Sequence, residues 1–320
     1  DGCRYPVNLE QGLSVPLPHL QKLRRCAQLL HLRAVLAAHR DNPGTAAKAL
    51  LSGFAAARSL KDEPLLISEL VRRGLDAIML AGLEDTLARA KLKKEHLASL
   101  RKALEKAEMP DRLQQVFVGE RTFGIGVLQR VEEGFSPVKG PLGKVCGYIY
   151  RPSGIVYLDE LAYLDAMEKF IEAAGRPWRR RLRNIKALES RLESQSDDLL
   201  YGMIHPVTSI LLSNQGMAAE TEVWHVGELR AGRAALAAAE YRLEHGELPE
   251  DLEALTPDIV EKVPRDPMDG KPIRLRRKDD AWHFYSIGPN GKDDGGTEGD
   301  TLKKVKDAVF RLYVNPASSQ

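Results

Sequence analysis

The sequence has no continuous apolar run of about eighteen residues, the length that a bilayer-spanning helix requires. We therefore expect no transmembrane segment in this chain. Cysteine is also scarce, since only Cys3, Cys26 and Cys146 are present and no two of them have CxxC spacing. Buried or idle thiols are the favoured interpretation. A single disulfide such as Cys3 to Cys26, formed in an oxidising compartment, stays open.

The chain also lacks a strong excess of charge of either sign. Its 47 lysines and arginines nearly balance its 45 aspartates and glutamates, which gives a formal net charge of +2. A dedicated nucleic-acid-binding protein would carry a marked basic excess on one face, so we expect no nucleic-acid partner. The content of 43% hydrophobic and 29% charged residues is typical of a globular protein, and 320 residues suffice for two domains.

Sequence motifs of catalysis are missing as well. His39-Arg40-Asp41 matches the kinase catalytic triplet, but no glycine-rich loop, strand lysine or DFG motif accompanies it. Gly124-Ile125-Gly126 lacks the third glycine of a dinucleotide-binding loop. The histidines show no HExxH spacing, and no serine stands in a nucleophile-elbow sequence. We therefore predict a non-enzymatic protein, with a hydrolase assembled from distant residues as the alternative.

Helical periodicity dominates residues 1–205, where apolar residues recur three and four positions apart. The predicted helices span residues 19–39, 45–60, 63–92, 94–107, 110–133, 158–174 and 176–192. A glycine- and proline-rich insertion lies near 134–158, and its segments 144–150 and 154–157 form either a hairpin or a long loop. The first two helices resemble a tetratricopeptide hairpin. Because the third is too long for that 34-residue repeat, we predict an irregular array of helices.

The pattern changes in the C-terminal part of the chain. One long helix is predicted over residues 206–245, about 60 Å long at 1.5 Å per residue, and Gly246 ends it. A short helix around Leu252 and Leu255 follows, then two strands, 273–277 and 281–287, joined by a turn at Asp279-Asp280, and beyond Gly296 only a tail. The predicted fold is therefore mainly α, with a helical domain at 1–205 and a small α+β unit at 206–320.

The α+β unit resembles the soluble domain of the type II secretion major pseudopilin. The residues that carry the resemblance follow an alanine-rich helix and are Tyr241, His245-Gly246, Leu248-Pro249, Leu252, Leu255, Val263-Pro264, Asp266-Pro267, Asp269-Gly270-Lys271-Pro272 and Tyr285-Ser286-Ile287-Gly288. The resemblance covers about a fifth of the chain, and it implies a spine helix packed on a small antiparallel sheet. A pseudopilin begins with an apolar membrane helix that this chain replaces with helical residues, so fibre assembly is not implied.

The whole chain resembles large uncharacterised envelope proteins of planctomycete-type bacteria, in which a helical region precedes a pseudopilin-like end. This resemblance implies an extracytoplasmic location but no activity. Because the chain begins at Asp1 and not with methionine, it fits a mature or trimmed product. We therefore expect the signal or anchor segment to lie outside this sequence.

By the pseudopilin resemblance, the loop after residue 286 is a candidate calcium site. The resemblance places the Ile287 carbonyl and the Asn290 side chain in ligand positions, with Asp293, Asp294 or Asp300 closing the shell. Glycines in this loop allow it to curl around an ion that wants six to eight oxygen ligands. Asn290 stands where an aspartate is usual, which lowers the expected calcium affinity. A loop with bound calcium and a loop without it are both kept as alternatives.

One dense basic run, around Trp178, is the second candidate site. Its arginines are Arg176, Arg179, Arg180, Arg181 and Arg183. The run can bind an anionic headgroup, a cell-wall polymer or an acidic protein partner. The favoured alternative is a solvated helix face, offset by Glu189 and Glu193. Exposure of four arginines on one side, free of carboxylate partners, would favour the binding site.

These patterns lead to one preferred function and two alternatives. The preferred function is a non-enzymatic envelope protein, associated with secretion or pili, that acts through protein contacts while calcium stiffens the loop after residue 286. One alternative is a hydrolase with its site between the helical domain and the C-terminal unit, which predicts buried carboxylates or histidines converging in a pocket. The other is a peptide-binding helical-repeat module, which needs a concave surface.

Overall fold

The computed structural model describes residues 5–7, 16–132, 153–298 and 306–313. Within them the protein is mainly helical with a small antiparallel sheet near the C-terminus, as predicted. The helices are α1 (Pro18–His39), α2 (Pro43–Arg58), α3 (Leu66–Arg89), α4 (Lys94–Ala107), α5 (Arg112–Glu132), α6 (Ile155–Ala174), α7 (Trp178–Ser196), α8 (Leu199–Ile204), α9 (Pro206–Leu211) and α10 (Gln215–His245). A 3-10 turn at Leu252–Leu255 precedes strands β1 (Arg274–Lys278), β2 (Ala281–Ser286) and β3 (Ala308–Tyr313). Among the described helices, none combines the length and the apolar character needed to cross a membrane.

Helix α10 connects the two largest hydrophobic cores of the described residues. Its C-terminal half, which includes Leu229 and Leu236, packs in one core with α1–α4 and with Phe284 and Phe310 of the sheet. Its N-terminal half, which includes Val223, packs in a second core with α5, α6 and α7. The sheet therefore buries its apolar face against elements from both ends of the chain. The division of the chain at residues 205 and 206 stays a prediction.

The structure corrects the predicted helix over residues 206–245. The chain forms α9, turns at 212–214 and starts again as α10, which at 31 residues is about 46 Å long and not about 60 Å. Asn214 in the turn has a left-handed backbone with φ of 73°, a conformation that asparagine adopts more readily than most residues. The break allows α9 to pack against α6.

Residues 154–157 need a second correction, because they are neither a strand nor a loop. Helix α6 begins at Ile155, and Val156 is buried in the second core. The Asp159 carboxylate accepts the main-chain N–H groups of Val207 at 2.9 Å and Thr208 at 3.1 Å, which ties the start of α6 to α9. A short apolar run suits a strand or a helix equally well, so packing decides between them. The partner segment of the predicted hairpin, 144–150, lies outside the described residues.

Strand β2 is the centre of the sheet, with β1 and β3 antiparallel on either side. Phe284 in β2 pairs with Leu275 in β1 and with Phe310 in β3. The hairpin between β1 and β2 turns at Asp279, which has φ of 53°. Strand β3 corrects the predicted tail: residues 308–313 complete the sheet, and their partner β2 lies more than twenty positions earlier in the sequence.

Helix α10 crosses the sheet closely because Gly227 stands at the crossing. A Cβ atom on Gly227 would lie 3.0 Å from the side chains of Ser286 and Ala308. Even an alanine here would therefore require the helix or its neighbours on β2 and β3 to move by a few tenths of an ångström. The predicted long helix packed on a small antiparallel sheet is present, and Gly246 ends the helix with φ of 85°.

Candidate functional site

Parts of the two sequence-predicted sites line one cleft of about 500 Å³. One wall is α7, which contributes Arg179, Leu182, Arg183 and Lys186. The other wall contains Met268, Asp269, Arg274, Ile287, Pro289, Asn290, Gly291 and Asp293. The basic run and the loop after β2 are more than a hundred residues apart in the sequence. Their meeting follows from α7 packing on the N-terminal half of α10 while the sheet packs on the same helix.

Arg274 in β1 organises the acidic wall of the cleft. Its Nε donates to Asp293 at 2.9 Å, and its two terminal nitrogens donate to Asp266 at 3.0 Å and to Asp269 at 2.6 Å. Asp266 is fully buried, and its carboxylate also accepts the main-chain N–H of Ile287 at 2.8 Å. A guanidinium that binds three carboxylates fixes the loop through charge-assisted hydrogen bonds.

The predicted calcium ligands take part in this protein network. Asp293 also accepts hydrogen bonds from the Tyr285 hydroxyl at 3.2 Å and from the Gly295 N–H at 3.0 Å. The Asn290 amide donates to Asp294 at 2.7 Å. Asp300 lies outside the described residues. Among the described residues no group of three or more His, Cys, Asp or Glu side chains is arranged to hold a metal ion, and the calcium site stays a prediction.

Asp307, which sequence reasoning missed, anchors the far side of this loop. One carboxylate oxygen accepts the Asp294 N–H at 3.2 Å, and the other accepts those of Gly296 at 2.7 Å and Thr297 at 3.3 Å. The side chain is completely buried. Burial raises the pKa of Asp307, although the three N–H donors oppose the shift. The available signal was a single aspartate directly before the apolar run of β3.

The basic run divides into an outer and an inner set. Arg179, Arg180 and Arg183 are exposed on α7, and within the described residues none of the three pairs with a carboxylate. Arg176 is also exposed but pairs with Glu172. Arg181 points the other way and is only 4% exposed. The structure therefore leaves three arginines, not four, free on one side.

Arg181 has a structural role inside the protein. One of its terminal nitrogens donates to the buried Glu222 carboxylate on α10 at 2.9 Å, and its guanidinium lies 4.3 Å from the centre of the Trp178 ring. Glu189, predicted to offset the arginines, instead accepts the N–H of Gly216 at the start of α10 at 2.9 Å. The hydrogen bond of Glu189 therefore goes to the main chain of α10 and not to the exposed arginines that it was predicted to offset.

A second cleft, of about 640 Å³, lies between α7 and α6. Its charged lining residues are Arg176, Arg180 and Arg183 of the basic run, Arg191 of α7, and Lys169 and Glu172 of α6. Arg183 lines both clefts. Because guanidinium groups bind carboxylates and phosphates in a two-pronged geometry, this face is suited to an anionic ligand.

A buried network of charged residues, also missed from the sequence, lies away from both clefts. Glu69 is its central acceptor: the guanidinium groups of Arg72, Arg73 and Arg112 donate to its carboxylate at 2.7–3.2 Å. Burial alone would raise the pKa of Glu69, but the three arginines outweigh burial and lower it. Glu69, Arg72, Arg73 and Asp76 are spaced along one face of α3, and that spacing was the signal available in the sequence.

The network continues from α3 to α10. Arg72 donates to Asp76 at 3.0 Å, and the His225 ring lies 3.2 Å from the same carboxylate. Burial lowers the pKa of His225, which favours its neutral form. Burial raises the pKa of Glu222, against the opposing charges of Arg73 and Arg181. These buried carboxylates and the histidine converge on arginines and not on either cleft.

A third group of acids stands where α3 and α10 meet the edge of the sheet. Glu84 accepts the Arg311 N–H of β3 at 2.6 Å, and the Arg311 side chain donates to Glu298 at 2.6 Å. Burial raises the pKa of Glu84 to about 7. Burial, together with the neighbouring acids Glu298 and Glu84, raises the pKa of Glu228 to about 8. At neutral pH the protonated form is therefore favoured for Glu228, whereas Glu84 is close to half protonated.

The fold and this site define a mainly helical protein whose basic helix face borders a structured acidic loop. Comparisons with known protein families, with curated proteins and with solved structures find no match to the chain.

Proposed function

We propose that the protein is a non-enzymatic envelope protein that works through protein contacts, and that the exposed face of α7 binds an acidic protein partner. The observation that carries the proposal is the set Arg179, Arg180 and Arg183, which is exposed beside two clefts and has no carboxylate partner in the part of the chain that the structure describes. We call this set the α7 cationic face. Its opposite side anchors the helix, because Leu182 and Ile185 are buried in the second core.

An acidic protein segment fits this surface better than a uniform polyanion does. The cleft beside the acidic loop has apolar lining from Leu182, Met268 and Ile287, so it offers hydrophobic contact as well as charge. A protein segment brings apolar side chains and carboxylates together. Because each exposed ion pair contributes only about 0.2–1 kcal/mol, added apolar contact is what gives such a surface useful affinity.

The envelope location, the relation to pseudopilins and an association with secretion or pili belong to the same proposal. Their support is the arrangement of a long helix on a small antiparallel sheet, together with the residues that resemble a pseudopilin. Calcium binding in the loop after β2 is a further part of it. The support for that part is a loop already curled around the Asp307 carboxylate, with Asn290, Asp293 and Asp294 gathered in it.

Reversing two charges on the α7 cationic face tests the proposed partner class. We expect Arg180→Glu/Arg183→Glu to weaken binding of a fluorescent peptide of alternating glutamate and leucine by at least about tenfold, because two attractions become repulsions. Fluorescence anisotropy at low and at physiological salt measures the effect. The matched control is Arg276→Glu/Arg277→Glu, which reverses two exposed arginines on β1 and should retain binding.

Equal weakening by both double variants would mean that only net charge matters, and the proposed surface would be wrong. Binding to phosphatidylglycerol vesicles that depends on Arg180 and Arg183, without binding to the glutamate–leucine peptide, would replace the protein partner with a lipid surface.

Calcium titration followed by thermal unfolding tests the loop. We expect millimolar calcium to raise the unfolding temperature of the wild type, because a ligand that binds only the folded state stabilises it. Asp293→Ala/Asp294→Ala should abolish this shift, whereas Asn290→Asp should move it to lower calcium concentration by adding a charged ligand. Glu250→Ala/Asp258→Ala removes two exposed acids elsewhere and should leave the shift intact. No shift in the wild type at millimolar calcium would remove the site.

A further inference from the structure

Helix α1 has the reverse of the usual arrangement of small and large apolar residues. Its inner face, which packs against α2 and α3, is formed largely by alanines, and Ala27, Ala34 and Ala38 are at most 2% exposed. Three leucines point outward instead: Leu29 is 68% exposed, Leu32 is 65% exposed and Leu36 is 50% exposed. The alanines already allow close packing against α2 and α3, and no element among the described residues covers the outer leucines.

The three outer leucines have the spacing of a helix-pairing seam. Leu32 lies three positions after Leu29, and Leu36 lies seven positions after Leu29. Leu29 and Leu36 therefore occupy the first position of successive heptads, and Leu32 occupies the fourth. Such a seam is narrow and straight along the helix, so its natural occupant is a second amphipathic helix laid alongside. Isolated exposed leucines are common on protein surfaces, but three in heptad register form a continuous apolar stripe.

The charged residues of α1 are all cationic, since the helix contains no aspartate or glutamate. Lys22 and Arg25 are exposed seven positions before Leu29 and Leu32 and so continue the stripe toward the N-terminus, and Arg33 is exposed beside it. Within the described residues none of these three cations has a carboxylate partner. A second copy of this chain would add the same three cations and no carboxylate from its own α1, so the positive charge of the interface would stay unbalanced in either orientation of the pair. An acidic partner helix would instead place glutamates or aspartates against them.

We propose that the outer face of α1, formed by Leu29, Leu32 and Leu36 with Lys22, Arg25 and Arg33, docks an acidic amphipathic helix of a protein partner. This interface is separate from the α7 cationic face and does not depend on it.

The test uses the full chain and a designed helical peptide labelled with fluorescein, with leucine at the first and fourth heptad positions and glutamate at the flanking positions. Fluorescence anisotropy should give saturable binding, which Leu29→Ala/Leu32→Ala/Leu36→Ala weakens by at least about tenfold. The matched control is Leu199→Ala/Leu200→Ala/Met203→Ala, which truncates three exposed apolar side chains on α8. This control should bind as the wild type does. All six positions are exposed, so both variants should keep the circular dichroism spectrum of the wild type.

A charge swap makes the partner chemistry specific. Arg25→Glu/Arg33→Glu should weaken binding of the glutamate peptide. The same variant should strengthen binding of a peptide that has lysine in place of glutamate at the flanking positions. Three results would overturn the proposal: equal binding of a peptide of the same composition with its leucines out of register, no effect of the leucine variant, or a chain that sediments as a dimer and becomes monomeric with Leu32→Glu. The last result would assign the face to a second copy.

Discussion

Replacing Glu69 with glutamine should lower the free energy of unfolding by about 3–5 kcal/mol, because removing one partner of a buried ion pair leaves its counter-charges uncompensated. Glu69 is completely buried and accepts from Arg72, Arg73 and Arg112. Glutamine keeps the shape of the side chain but leaves three buried guanidinium groups around a neutral amide. Chemical denaturation measures the change in the midpoint at constant slope. Glu193→Gln removes one exposed acid from α7 and should change stability by less than about 0.5 kcal/mol.

The same substitution should also alter the acid limb of the stability curve. A carboxyl whose pKa is lowered in the folded state contributes stability that is present above its unfolded pKa and is lost as pH falls. The wild type should therefore lose stability progressively below about pH 4.5, and Glu69→Gln should remove this part of the loss. If Glu69→Gln unfolds at the wild-type denaturant concentration, the buried network does not support the fold.

Glu228→Gln should change stability in the opposite pH range. A carboxyl whose pKa is raised in the folded state contributes stability that is fully present below its unfolded pKa, near 4.5, and is lost as pH rises through its folded pKa, about 8. The wild type should therefore become less stable between pH 5 and pH 8. Since one pKa unit corresponds to about 1.4 kcal/mol, the loss from Glu228 is at most about 4–5 kcal/mol. Partial exposure of the residue reduces it.

The free energy of unfolding measured from pH 5 to pH 9 tests this sign. Glu228→Gln should match the wild type near pH 5 and be more stable at pH 9, because glutamine cannot ionise. Glu84, whose pKa is about 7, remains in the variant, so a smaller slope should persist below pH 7. Parallel curves for the wild type, Glu228→Gln and the exposed control Glu193→Gln would contradict the assignment.

Local pattern predicted most of the helices well. Helix α4 has the predicted bounds, and α1 differs by one residue, because the spacing of apolar residues marks a buried stripe wherever the stripe comes from one continuous segment. The turn at Asp279 and the end of α10 at Gly246 were also predicted correctly. These positions need a backbone conformation that few residues adopt readily, so the residue type itself is informative.

Features that depend on distant partners were not predicted. Strand β3 has no hydrogen-bonding partner near it in the sequence, and the apolar run at Ile155 became a helix only because it packs on the second core. The inward direction of Arg181 depends on Glu222, which lies 41 residues away. The run of arginines gave no sign that one of them is buried while its neighbours are exposed.

Sequence alone determined the mainly helical class and the hairpin of β1 and β2, because each depends on residues within a few helical turns or one hairpin. Only the tertiary structure decided that the α7 cationic face and the acidic loop border one cleft, that Arg181 belongs to the interior and that α1 exposes its leucines. The physical reason is that side-chain direction and charge pairing depend on which surfaces pack together. The sequence pattern shows which residues can be buried. The packing of α10 against the helices and the sheet decides which of these residues are buried.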